Sequence, residues 1–325
     1  MEHFIRLHPF GWTFAKRLIS TVLMAFVVMF VVFFTIRMIP GDPAVNLLGA
    51  DSTPQQREEM RAILGLDKPL LVQFGVWLSQ LAHGDLGYSY AYGRDAIRVV
   101  LPALQNTLML GAFASLLAIV IAVILGNFGA SERKGVRQAT GWIEAFFLSA
   151  PQYAIALVLL IVLAVQFQIF PSGGVHQSDV TGFPDLVAHL FLPALALSLA
   201  PGAQMARSLK TSLTEIRGSD LISSLEARGL GRGALLVHSY RNAIPPMITV
   251  LAIQVGSMLG GALFVENIFS IPGLGQLIVQ SVGLRDFQTV QSGALVVALI
   301  YVVVLMLGDM ATMWIDPRLR RSSHV

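Results

Sequence analysis

Six stretches of this chain run for 19 residues or more without a single Asp, Glu, Lys or Arg: 18–36, 99–131, 145–178, 186–206, 242–265 and 287–308. A helix needs about 20 apolar residues to cross the hydrocarbon core of a bilayer. In lipid every backbone N–H and C=O must be satisfied internally, which leaves helices and closed barrels, and these runs lack the alternation of barrel strands. The expected fold is an all-α integral membrane protein with six transmembrane helices. Composition agrees, with 55% hydrophobic residues, 13% charged residues and a mean hydropathy of +0.69. One further charge-free run, 267–284, contains Ser270-Ile271-Pro272-Gly273-Leu274-Gly275, which would leave backbone groups unpaired in mid-membrane. It is expected to be a short interfacial or re-entrant segment. The run 69–84 is too short to cross and reads as an amphipathic surface helix carrying Trp77.

Basic residues set the orientation. Six spans place both termini and the loops after spans 2 and 4 on one side, which holds 15 of the 22 Lys and Arg residues. They are Arg6, Lys16, Arg17, Arg133, Lys134, Arg137, Arg207, Lys210, Arg217, Arg228, Arg232, Arg241, Arg318, Arg320 and Arg321. Both termini are therefore expected in the cytoplasm. Trp12, Trp142 and Trp314 fall at the cytoplasmic ends of spans 1, 3 and 6, where an interfacial belt would place them. The first span reads as a retained anchor: its apolar core exceeds a signal-peptide core, and no small-x-small cleavage site precedes Pro40-Gly41-Asp42-Pro43. With no cysteine, disulfides and thiol chemistry are excluded. The net charge of +3 belongs to the inner face and implies no nucleic-acid partner.

On the far side, 40–98 is the one sizeable segment outside the membrane. Ser52-Thr53-Pro54 reads as a helix start, Gly65 as its end, and a second helix is expected over Leu70–Ala82. Pro151 lies in span 3, Pro193 and Pro201 in span 4, and Pro245-Pro246 are expected to open span 5. Prolines within spans free carbonyls and bend helices, which suits either a transport path or ordinary packing. Gly256 and Gly260 have the G-x-x-x-G spacing of close helix contact, and with Gly261 adjacent they argue for a tight helix approach.

Between spans 4 and 5 lies a polar, arginine-rich insert containing Gly218-Ser219-Asp220-Leu221-Ile222-Ser223-Ser224-Leu225-Glu226-Ala227-Arg228-Gly229-Leu230. Ser219 suits an N-cap, and Asp220 suits the positive end of a helix. Leu221, Ile222 and Leu225 share one face, while Ser223, Ser224 and Glu226 turn away. Gly229 fits a left-handed C-terminal residue with Leu230 closing behind it. So short a helix needs a docking surface. Its mixed charges, Asp220 and Glu226 beside Arg228, favour a protein partner over lipid headgroups, which select uniformly basic faces.

No G-x-x-x-x-G-K-[ST] phosphate loop occurs, so nucleotide energy, if used, is expected to enter through another subunit. The seven histidines show no H-x-x-x-H spacing, and no metal site is expected. Glu144, Glu266 and Asp309 lie near span ends, where they can reach the interface, and structural pairing is the expected role. Asn106, Gln152, Gln254 and Ser257 are candidates for lining a polar path, with interhelical hydrogen bonding as the alternative for each. A secondary transporter or channel should show an inverted repeat and midplane charges, and neither is visible. A membrane hydrolase would need a nucleophile–base pair; Ser172 with His176 is the nearest, in a glycine-rich outer turn.

Several of these stretches also resemble one family. They include Ile39-Pro40-Gly41-Asp42-Pro43-Ala44, Leu64-Gly65-Leu66-Asp67-Lys68-Pro69-Leu70, Gly84-Asp85-Leu86-Gly87-Tyr88-Ser89, Leu101-Pro102 with Asn106-Thr107-Leu108, and Ala150-Pro151. Phe170-Pro171-Ser172-Gly173-Gly174, Arg241-Asn242-Ala243-Ile244-Pro245, the run from Val265-Glu266-Asn267 to Gly275, and Asp316-Pro317-Arg318 follow in order. The chain resembles the permease subunits of ABC-type importers, in the dipeptide, oligopeptide and nickel branch, over nearly its whole length.

The resemblance implies a type I ABC importer permease bundle with a cytoplasmic coupling helix, in a bacterial inner membrane. Residues 1–16 and 316–325 would be cytoplasmic tails, 17–39 the first transmembrane helix and 40–100 an extracytoplasmic segment with short helices. Residues 101–315 would be a five-helix core including a coupling loop, 207–244. Leu221, Ile222, Ser223, Leu225, Glu226, Arg228 and Gly229 would contact the ATPase. The implied partners are a second homologous permease, two cytoplasmic ATPases that bind ATP and Mg, an extracytoplasmic solute-binding protein and the lipid bilayer. This chain itself would hold no cofactor. The cargo would be di- or oligopeptides, with opines, glutathione, oligosaccharides or nickel carried by relatives on the same scaffold. The family's loop pattern puts two small residues after a polar one, six before the glycine. Here Leu225 replaces one small residue and the acid falls at Glu226; the loop from Gly229 to His238 is one residue shorter.

Overall fold

A computed structural model describes residues 9–38, 43–49, 51–176 and 182–315. The side chains of Trp12, Trp314 and Asp309, the residues Pro40-Gly41-Asp42 and the segment from Asp316 onward lie outside the described part. Among the described residues five helices are long and apolar enough to cross a membrane: Ile19–Arg37, Ala96–Gly129, Phe183–Arg217, Arg232–Ile268 and Phe287–Gly308. They carry five of the six charge-free runs. The third run departs from expectation. Its helices Lys134–Ser149 and Gln152–Gln166 meet at 103°, so the sixth candidate span is an elbow and not a rod. Pro151 sits at the N-cap of the second arm, where its missing N–H costs nothing, and not inside a continuous helix.

In chain order the helices are α1 (Pro9–Arg37), α2 (Pro43–Leu48), α3 (Pro54–Ile63) and α4 (Leu70–Ala82). A two-stranded hairpin, β1 (Tyr88–Ser89) and β2 (Arg94–Asp95), precedes α5 (Ala96–Gly129) and α6 (Lys134–Ser149). Then come α7 (Gln152–Leu159), which runs into π-helical turns at Leu160–Gln166, α8 (Phe183–Arg217) and α9 (Asp220–Ala227). The chain continues through α10 (Arg232–Ile268), α11 (Leu274–Gly283) and α12 (Phe287–Ile315). Helix α1 begins at Pro9, within the stretch expected to be a tail.

The chain forms two compact units. One comprises Leu18–Thr107 and Pro272–Val302. There Trp77 does not lie on the surface as expected. It is buried with Phe74 against Phe33, with ring centroids 5.5 Å (Trp77) and 5.3 Å (Phe74) from that ring. A 16-residue run is too short to span, but its aromatic face still leaves water by packing on the first helix. Helix α3 starts with a full capping box: Thr53 Oγ1 accepts from Gln56 N, and Gln56 Oε1 accepts from Thr53 N at 2.9 Å. The hairpin pairs Tyr88 with Asp95 and Ser89 with Arg94. Its anchor is Asp286, whose carboxylate accepts from Ser89 Oγ (2.5 Å), Ala91 N (3.3 Å) and Thr289 Oγ1 (2.8 Å) while capping α12 through Thr289 N (3.2 Å). The expected short segment after α10 is a turn followed by α11, and Asn106 and Thr107 hold it. Asn106 Nδ2 donates to Pro272 O (2.9 Å), and Thr107 Oγ1 accepts from Leu274 N (2.9 Å).

The other unit comprises Met1–Arg17, Leu108–Ile271 and Val303–Val325. Its core centres on α8, whose buried face includes Leu192, Leu197, Met205, Leu209 and Leu213. Small residues let helices approach. A Cβ on Gly202 of α8 would meet Ile121 of α5 at 2.9 Å, and one on Gly308 of α12 would meet Ala252 of α10 at 2.5 Å. The tight contact expected at the glycines of α10 falls at Gly261, where a Cβ would meet Gln152 Oε1 at 2.5 Å; among the described residues nothing lies within 4 Å of a Cβ on Gly260.

Candidate coupling helix and its mounting

The insert between α8 and α10 is mostly helix. Helix α8 continues to Arg217 and α10 begins at Arg232, so only 218–231 lies outside the two long helices. Pro245 and Pro246 therefore sit inside α10, about one turn into its charge-free run and not at a helix start. At 1.5 Å per residue, 207–217 and 232–241 carry each helix about 15 Å beyond its charge-free run. The headgroup layer on one side of a bilayer is only about 5–8 Å deep. With the charge-free runs taken as the hydrocarbon-spanning parts, α9 would stand clear of the lipid on two helical supports, which counts against its lying flat on headgroups.

Both ends of α9 are built as local chemistry requires, with one difference. Ser219 occupies the N-cap position, yet its side chain makes no cap bond; Oγ donates backwards to Ile216 O at 2.6 Å. At the other end Gly229 has φ +79°. Gly229 N donates to Glu226 O (2.8 Å) and Leu230 N to Leu225 O (3.2 Å), a complete Schellman closure. The expected apolar face turns partly inward: Ile222 is buried, Leu225 is half-buried and Leu221 is 45% exposed. The outward surface therefore carries Leu221, Ser223, Ser224, Glu226 and Arg228.

Three contacts brace these supports, none legible from a motif. Tyr240 Oη of α10 donates to Asn127 Oδ1 of α5. Arg217 Nη1 donates at 2.7 Å to Ala130 O, just beyond the end of α5, and so satisfies a carbonyl that a helix terminus leaves open. Lys210 Nζ lies 3.7 Å from Glu144 Oε2 of α6. Glu144 does not reach the interface as expected: it is 2% exposed. Glu266 is likewise fully buried within the chain.

The four path candidates have these surroundings within their own units. Asn106 belongs to the first unit and holds the Pro272 turn. Gln152 lies between α8 and α10, its Nε2 donating to Leu197 O at 3.3 Å. Gln254 is half-buried and Ser257 exposed on α10. At the opposite end of α8, Asp185 joins two histidines: His176 Nδ1 is 2.9 Å from Oδ2 and His189 Nδ1 is 3.2 Å from Oδ1. His176 is thereby engaged by a carboxylate. Among the described residues no group of three or more His, Cys, Asp or Glu is arranged to hold a metal ion.

Residues 118–321 match the family model described as binding-protein-dependent transport system inner membrane component, and residues 12–111 match the N-terminal model of the same system. The chain is 33% identical to the dipeptide transport system permease protein of Alkalihalophilus pseudofirmus, over 89% of this chain and 93% of that one. It is 32% identical to the corresponding Escherichia coli K12 protein, over 89% of this chain and 92% of that one. Among solved structures, the inward-facing methionine ABC transporter MetNI is similar at a TM-score of 0.51, with 19% identity, 68% of this chain and 95% of that chain covered. That likeness extends to the fold.

Proposed function

The chain belongs to the binding-protein-dependent transport inner membrane component family, and from that premise we propose that its cargo is di- or oligopeptides. As a member it is a multi-pass inner-membrane permease subunit of an ABC importer; hydrolysis of ATP belongs to partner subunits. Relatives named for dipeptide transport across nine-tenths of their length support the peptide reading. A glutathione transport permease of Pectobacterium atrosepticum, 32% identical over 94% of this chain, makes that small peptide an alternative within the same chemistry.

The single observation that supports the coupling role is α9. It is a capped short helix carried on two extensions of spanning helices, with Leu221, Ser223, Ser224, Glu226 and Arg228 outward. In this reading it seats in a groove of a cytoplasmic ATPase, which places both termini in the cytoplasm. A second permease of this family completes the pore, two ATPases bind ATP and Mg, and an extracytoplasmic protein delivers the peptide. Gln152, Gln254 and Ser257 then belong to the helices that rearrange, and Asn106 acts by holding its turn. The test is reconstitution of the native complex in proteoliposomes with its binding protein. Uptake of labelled glycyl-leucine that requires internal ATP is the expected result; peptide-independent hydrolysis without uptake would overturn the peptide reading.

A further inference from the structure

Glu144 is a buried charge that this structure satisfies poorly. It is 2% exposed, Oε1 accepts no hydrogen bond, and Oε2 stands 3.7 Å from Lys210 Nζ, beyond hydrogen-bonding distance. Buried carboxylates are costly unless paired closely and hydrogen-bonded, and an unsatisfied group in a native protein calls for a physical reason. The lysine stem has its place only because residue 129 carries no side chain. A Cβ on Gly129, at the end of α5, would meet Lys210 Cδ at 2.9 Å and Glu144 Oε1 at 3.4 Å, so glycine leaves the channel that the lysine stem occupies.

Position gives the pair its meaning. Lys210 lies seven residues before Arg217, two turns along one face of α8; Arg217 engages Ala130 just beyond the end of α5, and Lys210 packs on Gly129 at that same end while reaching Glu144, the eleventh residue of α6. Arg217 is two residues before the N-cap of α9. Glu144 lies on the arm of the elbow that ends at Ser149, immediately before the bend at Ala150-Pro151. A displacement of α9 therefore reaches the elbow through α8 and this ion pair.

We propose that Glu144 and Lys210 are a positioning pair that closes to a hydrogen-bonded contact in another state of the transport cycle. The closed contact draws the α6 arm of the elbow along with α8 when the ATPase moves α9. The inference rests on the coupling role proposed above for α9. Physical chemistry favours two states here, because the loose pair seen gains a charge-assisted hydrogen bond on closing whereas a neutral replacement gains nothing comparable.

The experiment uses the complete complex with its binding protein in proteoliposomes and reads ATP hydrolysed per glycyl-leucine imported. Wild-type complex showing peptide-stimulated hydrolysis and uptake tests the proposed function first and separately. In Glu144→Gln the ratio is expected to rise at least fivefold while assembly and melting temperature stay near wild type. Glu144→Met/Lys210→Met removes both charges, leaves none unpaired, and is expected to assemble and show the same raised ratio. A wild-type ratio in either assembled variant overturns the inference while leaving the permease function standing. Failure of both variants to assemble also overturns it, because the pair would then serve stability alone.

Discussion

Gln152 fills the space in which residue 261 would carry a side chain: a Cβ on Gly261 would sit 2.5 Å from Gln152 Oε1 and 3.1 Å from Nε2. The same amide donates to Leu197 O, so α7 is hydrogen-bonded to α8 and pressed against α10 by one residue. Gly261→Ala should expel the amide and break its bond, at a cost of about 1 kcal/mol, the usual size of an interhelical hydrogen bond in a membrane protein. In a double-mutant cycle of melting temperatures, Gly261→Ala should cost much less in a Gln152→Ala background. Gly260→Ala, with open space around it, should change little.

Leu221 and Ile222 are adjacent but face opposite fates. Ile222→Asp would bury a charge against the chain's own helices and should lower the melting temperature of the purified subunit. Leu221→Asp should leave that temperature within a degree or two and instead weaken co-purification of the ATPase. Equal effects of both changes on the isolated subunit would refute the outward assignment of Leu221.

Gly229 has empty space around it yet a left-handed backbone, so its requirement is conformational alone. Gly229→Ala should cost about 1–2 kcal/mol and Gly229→Asn less, because asparagine tolerates this region better. Hydrogen exchange of the Gly229 and Leu230 amides would report it: faster exchange is expected in the alanine variant, with the spans unchanged.

Asp286 caps α12 and holds the hairpin hydroxyl of Ser89 in the same carboxylate. Asp286→Ala should cost more than an ordinary cap, about 2–3 kcal/mol, because a buried hydroxyl loses its partner as well. Asp286→Asn, which keeps an acceptor, should recover roughly half in a thermal melt.

Much of this arrangement was open to reading from residue order, where the physics is local. Charge-free runs locate helices because hydrocarbon tolerates nothing else, Thr53 and Gln56 specify their cap by spacing, and Gly229 specifies its closure. The same reading could not orient α9. Leu221, Ile222 and Leu225 cover an arc of about 100° at 3.6 residues per turn, and nothing local says which edge faces in. Nor could it find the elbow at Ala150-Pro151, because an apolar run records solvent preference and not direction. Tyr240 with Asn127, 113 residues apart, and Lys210 with Glu144 meet only through tertiary packing.

The prolines of α8 and α10 acquire a further significance from their distance to α9. Pro201 lies about 24 Å before the end of α8, and Pro245 about 20 Å after the start of α10, at 1.5 Å per residue. Each proline removes a backbone hydrogen bond and loosens its helix at that height. On α8 the loosened point is also where Gly202 presses on Ile121. Measured from α9, the two supports thus carry their prolines at similar distances along their helices, and a swing about those points would make each support a lever of similar length. A swing of about 10° over such an arm of 1.5 Å per residue sweeps the tip sideways by about 4 Å. A small angular change at the prolines and a stroke of several ångströms at Leu221 are the same motion, seen from opposite ends.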